Sequence, residues 1–314
     1  MKFINKGYQI SLSGMVLCLA GCQMAPTSVQ RCGFWVDAYR GEPVAYHDML
    51  DDLATVDVVY LGESHTLMRH HEVQHRIVSD LIAQGKTVIL ALEQLEDYQQ
   101  PVVDRYNRGE ITYEELAEKI NWSDRWDNYL DYRDIVETVH NTGSTIVALN
   151  ARREIVRKVA RKGLESLSED DRKQLPAEID TTDEQYRQYM NHTMMVMAHV
   201  KDSPEMLDRM FTAQVCRDEA MAENFFKAIN SSRQQDAVAV VLCGSGHVSH
   251  GSGIPNRLKR RNPQIEERII ILSSSGDVEL SEKTKAMSRE ITITHQQLRG
   301  FDRPVADYLH VVNL

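Results

Sequence analysis

The sequence predicts an α/β fold: a mostly parallel central sheet flanked by helices, with a helical insertion or cap. Two observations predict it. Short apolar runs recur at residues 56–61, 88–92, 145–149, 237–243 and 268–272, and stretches with helical patterning separate them. The runs are apolar at nearly every position instead of every second one, which marks strands covered on both faces. Glycines such as Gly62, Gly85 and Gly143 punctuate them. Strand, helix and strand in alternation are the pattern of parallel pairing.

The chain opens with Lys2 and Lys6, then an apolar run over residues 10–19, then Leu19-Ala20-Gly21-Cys22. This is the layout of a secretory signal peptide, too short to span a bilayer. The tetrapeptide resembles the lipobox of bacterial lipoproteins, which implies cleavage before Cys22 and lipid on its sulfur and amine. Several acyl chains hold a protein on a membrane where one does not. Gln23, in place of an aspartate, implies an outer-membrane address. Residues 1–21 are therefore expected to be removed and 22–44 to be a tether. Residues 45–163 and 201–314 are expected to form the α/β core, with 164–200 as a helical lid.

The precursor carries a formal charge of −10. Loss of Lys2 and Lys6 takes the mature chain to about −12, a poor match for nucleic acid. Cys32, Cys216 and Cys243 remain beside the lipidated cysteine. Three thiols make no disulfide framework; a Cys216–Cys243 bridge and three reduced cysteines are both open.

Ligands of open parallel sheets bind beyond the carboxyl ends of the strands. The first predicted strand is followed by Gly62-Glu63-Ser64-His65, the second by Glu93, the third by Asn150 and the fourth by Gly244-Ser245-Gly246-His247. Four strand ends thus each deliver a residue able to bond a ligand. Asn150 also fits a helix N-cap and Glu93 a capping carboxylate. Farther on, Gln214, Arg217, Asp218, Met221 and Phe225 share one helical face. His71-Glu72-Val73-Gln74-His75 matches the H-E-x-x-H zinc pattern. Its place on the helix after a first parallel strand argues against that class, and these histidines are expected at the surface, with His71 or His70 as the one that could turn toward the cluster.

The residues in order resemble the ChaN-like family of haem-binding, iron-regulated lipoproteins, within the wider Tiki-like superfamily. The resemblance rests on Leu61-Gly62-Glu63-x-His65, His71-x-x-Gln74, Ala91-Leu92-Glu93, Trp126 with Tyr132, Ala148-x-Asn150 and His192. Ala213-Gln214-x-x-Arg217-Asp218-x-x-Met221-Ala222, Gly244-x-Gly246-His247 and Gly253-Ile254-Pro255 complete it. Ser64-His65-Thr66 and Gln94 depart from the family pattern. The resemblance implies an α/β core with a helical cap and a part in handling haem.

Two functions follow. The favoured one is a lipid-anchored haem-binding protein for haem and iron acquisition or storage, with haem, the outer membrane and a haem receptor as partners. Haem needs an apolar slot, an axial ligand and donors for its propionates. Residues 183–200 offer Tyr189, His192, Val196 and His199 on one helical face. Tyr186, Met190, Met194 and Met197 form a neighbouring soft stripe. Tyr189 is the expected iron ligand, His192 a second ligand or a propionate partner, and Arg217 or His247 a further propionate contact. The alternative is a metal-dependent hydrolase, protease- or esterase-like, in which Glu63, His65, Glu93 and His247 hold a divalent metal or act as acid and base.

Overall fold

The computed structural model describes residues 33–198, 203–231, 236–274 and 302–312. Its centre is an eight-stranded sheet: β1 (Gly33–Asp37), β2 (Glu42–Val44), β3 (Val58–Glu63), β4 (Thr87–Glu96), β5 (Thr145–Asn150), β6 (Ala237–Gly244), β7 (Glu267–Leu272) and β8 (Tyr308–Val312). The strands lie in the order β2-β1-β8-β7-β3-β6-β4-β5. All pairings from β8 through β5 are parallel, whereas β1 runs antiparallel to both β8 and β2. The five expected runs are β3 to β7.

One expectation fails. Residues 22–44 are not all tether, because residues 33–37 and 42–44 are strands of the sheet. These strands are short, partly exposed and interrupted by charge, so they carry no buried-strand signal. Cys22 and Cys32 lie outside the described residues.

The strands fill two apolar layers because successive side chains point to opposite faces. Val59 and Leu61 of β3 pack with Ile77, Val78 and Leu81 of α2 (Met68–Ala83) and with Met49 and Leu53 of the preceding helix, α1 (Tyr46–Leu53). Val58 and Tyr60 face Met221 and Phe225 of the long helix Pro204–Ser231, together with Ile254 and Leu258 of Ile254–Arg261. Such fully buried aliphatic side chains contribute roughly 2 kcal/mol each. Between them in sequence come α3 (Gln100–Asn107), α4 (Tyr113–Lys119), α5 (Trp122–Arg125), α6 (Arg133–Asn141), α7 (Arg153–Lys162), α8 (Glu169–Arg172) and α9 (Glu184–Ala198). The long helix is α10 and the one after β6 is α11. Residues 164–231 contain no strand among those described.

The far edge of the sheet is closed by side chains. Gln100 and Asn107 of α3 bond the backbone of Ile146 and Ala148 on β5, taking the groups that another strand would need. On the other face, the buried Glu219 of α10 is ringed by Arg257, Arg260 and Arg261 of α11, which fixes the two helices together. Cys216 and Cys243 are free, buried thiols, so no bridge joins them.

Gly253 precedes α11 with φ +63° and ψ −123°, and a Cβ there would lie 2.2 Å from the carbonyl oxygen of His247. Only glycine fits. Gly253→Ala is expected to cost about 3 kcal/mol in urea unfolding, from backbone strain and displacement of the His247 loop. An unchanged midpoint would refute this packing.

Candidate functional site

The site is built where three parallel strands end. Glu63 closes β3 and stands level with Gly244, which closes β6. Leu92 of β4 pairs with Leu242 on the other side of β6, so Glu93 follows at the same edge. Two carboxylates therefore flank a glycine. Gly244 donates its N–H to Glu93 Oε2 at 2.7 Å, and the space where a Cβ would stand is taken by the His65 ring, 2.9 Å away at Nε2. His65 thus bridges the strand ends. Its Nδ1 is 2.8 Å from Glu63 Oε1, and its Nε2 is 4.0 Å from Glu93 Oε2. The edge of the Trp126 ring packs against it.

On the α2 face, Glu63 is the hub. Its Oε1 accepts from the Tyr132 hydroxyl at 2.5 Å and from Gln94 Nε2 at 3.0 Å, and its Oε2 accepts from Gln74 Nε2 at 2.8 Å. The register of β4 against β5 shifts between Leu92 and Glu96. Such an irregularity re-aims side chains. Here Glu93 and Gln94, adjacent in sequence, reach opposite halves of one site. Burial raises the Tyr132 phenol, and the Glu63 charge adds to it, so this hydroxyl stays a donor.

On the α10 face, His247 is the hub. Its Nε2 lies 3.2 Å from Glu93 Oε1, and its Nδ1 lies 2.5 Å from Asp218 Oδ1. The other oxygen of Asp218 accepts from the Tyr186 hydroxyl of α9 at 2.7 Å, and the Gln214 amide sits beside both Tyr186 and His247. Arg217 Nη1 is 3.7 Å from Glu93 Oε1. Burial opposes a charge on His247, yet Glu93 and Asp218 outweigh it and raise its pKa to about 9. His65 is raised too, with burial working against Glu93 and Glu63. For Glu93 burial pushes upward, while His247, His65 and Arg217 hold it well below the usual carboxylate range.

Seven residues expected at a site therefore meet: Glu63, His65, Glu93, Gln214, Arg217, Asp218 and His247. His65 and Arg217 are partly open, at 33% and 29% side-chain exposure, and Gln214 is half-buried, whereas Glu63, Glu93, Asp218 and His247 are buried. Asn150 stands behind them, donating to the Glu93 carbonyl at 3.0 Å. It is not the cap of α7, whose N-cap position is Arg152. Tyr189 is half-buried, packed against the patch of Tyr186, Met190, Phe211 and Val215 with its ring edge-on to His250 at 5.5 Å. His192 belongs to α9, but its side chain is outside the described residues, as are those of Met194, Val196, Met197 and His199.

Of the histidines at 70–75, expected at the surface except for His70 or His71 turned inward, both His70 and His71 turn inward. His70 and His71 are buried, and His71 Nε2 bonds the His65 carbonyl at 2.9 Å. His75 turns instead to Thr138. The two histidines of the H-E-x-x-H pattern serve different partners, and no group of three or more His, Cys, Asp or Glu among the described residues is arranged to hold a metal ion. Gln94 and Tyr186 are polar members of the site that sequence reasoning misses. Tyr132 and Gln74 are visible in the sequence only through the family resemblance.

The profile of a family described as "Haem-binding uptake, Tiki superfamily, ChaN" matches residues 49–258. The chain belongs to this family. Among solved structures it is similar to "Cofacial heme binding to ChaN of Campylobacter jejuni", with TM-score 0.65 and 21% identity over 90% of this chain and 97% of that one. At that identity the likeness bears on the ChaN-like fold. The type III effector HopBA1 (TM-score 0.42, 13% identity, 73% and 83% covered) and a mutant of the erythromycin esterase EreC in its open conformation (0.42, 14%, 76% and 76%) are too distant to inform function. No curated protein matches.

Tyr132→Phe leaves Glu63 short of one buried donor and is expected to cost about 2 kcal/mol in chemical unfolding. The raised pKa of His247 means that its stabilisation is complete below the ordinary value of 6.5 and is lost as pH rises through about 9. Glu93 works in the opposite sense, its share being lost as pH falls toward its depressed pKa. The urea midpoint of the wild type should thus fall on the alkaline side, and fall less in His247→Gln. Parallel pH profiles for the two proteins would refute the assignment.

Proposed function

We propose that this chain is a lipid-anchored haem-binding protein of the outer membrane, serving haem and iron acquisition or storage. The observation that carries the reading is Tyr189: in a chain of the ChaN family, α9 presents a half-buried tyrosine beside the His250 ring. Burial lowers the pKa of His250 against the opposing hydrogen bond from its ring to the Arg303 carbonyl, favouring a neutral imidazole. Met190 follows on the same helix with 5% exposure. Oxygen, nitrogen and thioether donors on an apolar surface are the set that suits haem. Tyr189 would ligate the iron and His192 would be a second ligand or a propionate partner. When bound, haem supplies a ferric centre that favours an anionic oxygen donor.

The strand-end residues divide by access. His247 has both ring nitrogens engaged and is 5% exposed, so Arg217 is the better propionate contact. Cys22 would carry the lipid, and among the described residues no helix is long and apolar enough to cross a membrane. A haem receptor would be the partner in uptake.

Haemin titration with visible spectroscopy tests the ligand. Tyr189→Phe is expected to lose the wild-type spectrum and at least tenfold in affinity, and His192→Ala to lose less. Wild-type behaviour in both places the ligand elsewhere. For the lipid, palmitate labelling should be absent from Cys22→Ser; labelling that persists sinks that part of the reading.

A further inference from the structure

We propose that Tyr186 is the positioning residue of the haem-ligand helix, latched through Asp218, His247 and Glu93 to the strand ends, so that the buried cluster sets where Tyr189 is presented. The proposal rests on the haem reading above. Tyr186 and Tyr189 are one turn apart on α9. Among the described side chains of that helix only Tyr186 and Met190 are buried. Met190 and Tyr186 make an apolar contact with Phe211 and Val215 of α10, a small patch compared with the two main layers. Arg187 and Asp208 add an ion pair, but Asp208 is 62% exposed, and such pairs contribute little.

The directional hold is the chain Tyr186 hydroxyl, Asp218, His247, Glu93, with successive separations of 2.7, 2.5 and 3.2 Å. Asp218 and Glu93 are 0% and 1% exposed. A buried carboxylate that loses a donor is strongly penalised, so Asp218 resists any movement of α9 that withdraws the Tyr186 hydroxyl. The helix is held before a ligand arrives, and binding loses less conformational freedom.

The groups facing His247 are Glu93 of β4, Asp218, Arg217 and Gln214 of α10, His65 after β3 and Tyr186 of α9. With three carboxylates in or next to that set, including Glu63 behind His65, imidazolium is the state that serves both Asp218 and Glu93. A neutral ring carries one N–H and can serve only one of them. The latch therefore loosens when His247 loses its proton.

The test uses the haem-free full chain for hydrogen exchange over residues 184–191, and haemin titrations of the same proteins. Tyr186→Phe is expected to speed exchange in α9 and weaken haemin on the order of tenfold while keeping the wild-type spectrum. Asp218→Asn, which keeps the shape, is expected to do the same. Wild-type haemin affinity should fall as pH rises through about 9, and this limb should vanish in Tyr186→Phe. Wild-type exchange and affinity in Tyr186→Phe overturn the latch. Tyr189→Phe separates the two ideas: it should abolish the spectrum and leave exchange unchanged. An intact spectrum there overturns the haem-ligand reading, whereas the exchange result in Tyr186→Phe decides the latch by itself.

Discussion

Two carboxylates buried side by side at the end of a parallel sheet are the constraint on which this structure depends. A carboxylate removed from water is costly unless its oxygens are matched by donors. Glu63 meets that requirement from α2, from the 3-10 turn ending at Tyr132, from β4 and from the loop after β3. Glu93 meets it from β6, the loop after β6 and α10. Elements on both faces of the sheet are thereby tied to one edge, and apolar packing alone does not specify that edge. The glycine between the carboxylates is as necessary as they are, because any side chain at Gly244 would displace His65.

Much of this was legible. Five apolar runs gave β3 to β7 but not β8, the sixth strand of the parallel part, and the rule that sites lie beyond strand carboxyl ends gathered Glu63, His65, Glu93 and His247 from positions more than 180 residues apart. What stayed hidden has physical causes. β1 and β2 are short edge pieces whose pattern is that of a polar segment. The roles of Gln94 and Gln74 depend on the strand irregularity and the helix phase, neither of which has a residue-level signature. The importance of His71 lay in its neighbours in space, and periodicity does not report them. Helical spacing sets Tyr186 and Tyr189 on neighbouring stripes of α9, but it does not report that the Tyr186 hydroxyl bonds Asp218 while Tyr189 stays half open.

The site accordingly has two parts with different physics. The inner one is charged and largely buried, with His65, Arg217 and Gln214 as its more open members. Buried polar atoms such as Gln74 Oε1, Gln94 Oε1 and Asn150 Oδ1 have no hydrogen-bond partner within it. The outer one, on α9, carries Tyr189 and Met190 among its described side chains. On the proposed haem reading, a flat, largely apolar ligand would lie along the outer part and meet the inner one only at its margin. The inner carboxylates Glu63 and Glu93 are engaged by donors of the fold itself.

The strand order has a consequence for how the molecule is made. β8 lies between β1 and β7, so the first strands of the described chain reach the sheet only by way of its last. A polypeptide emerging from its amino end can assemble β3 through β7 while the β1–β2 hairpin waits without a partner. Joining ends so distant in sequence is slow. Completion of the sheet therefore becomes a late event that reports on the arrival of the carboxyl-terminal strand, and a chain truncated before Tyr308 would leave one edge of β7 unpaired and open to other strands.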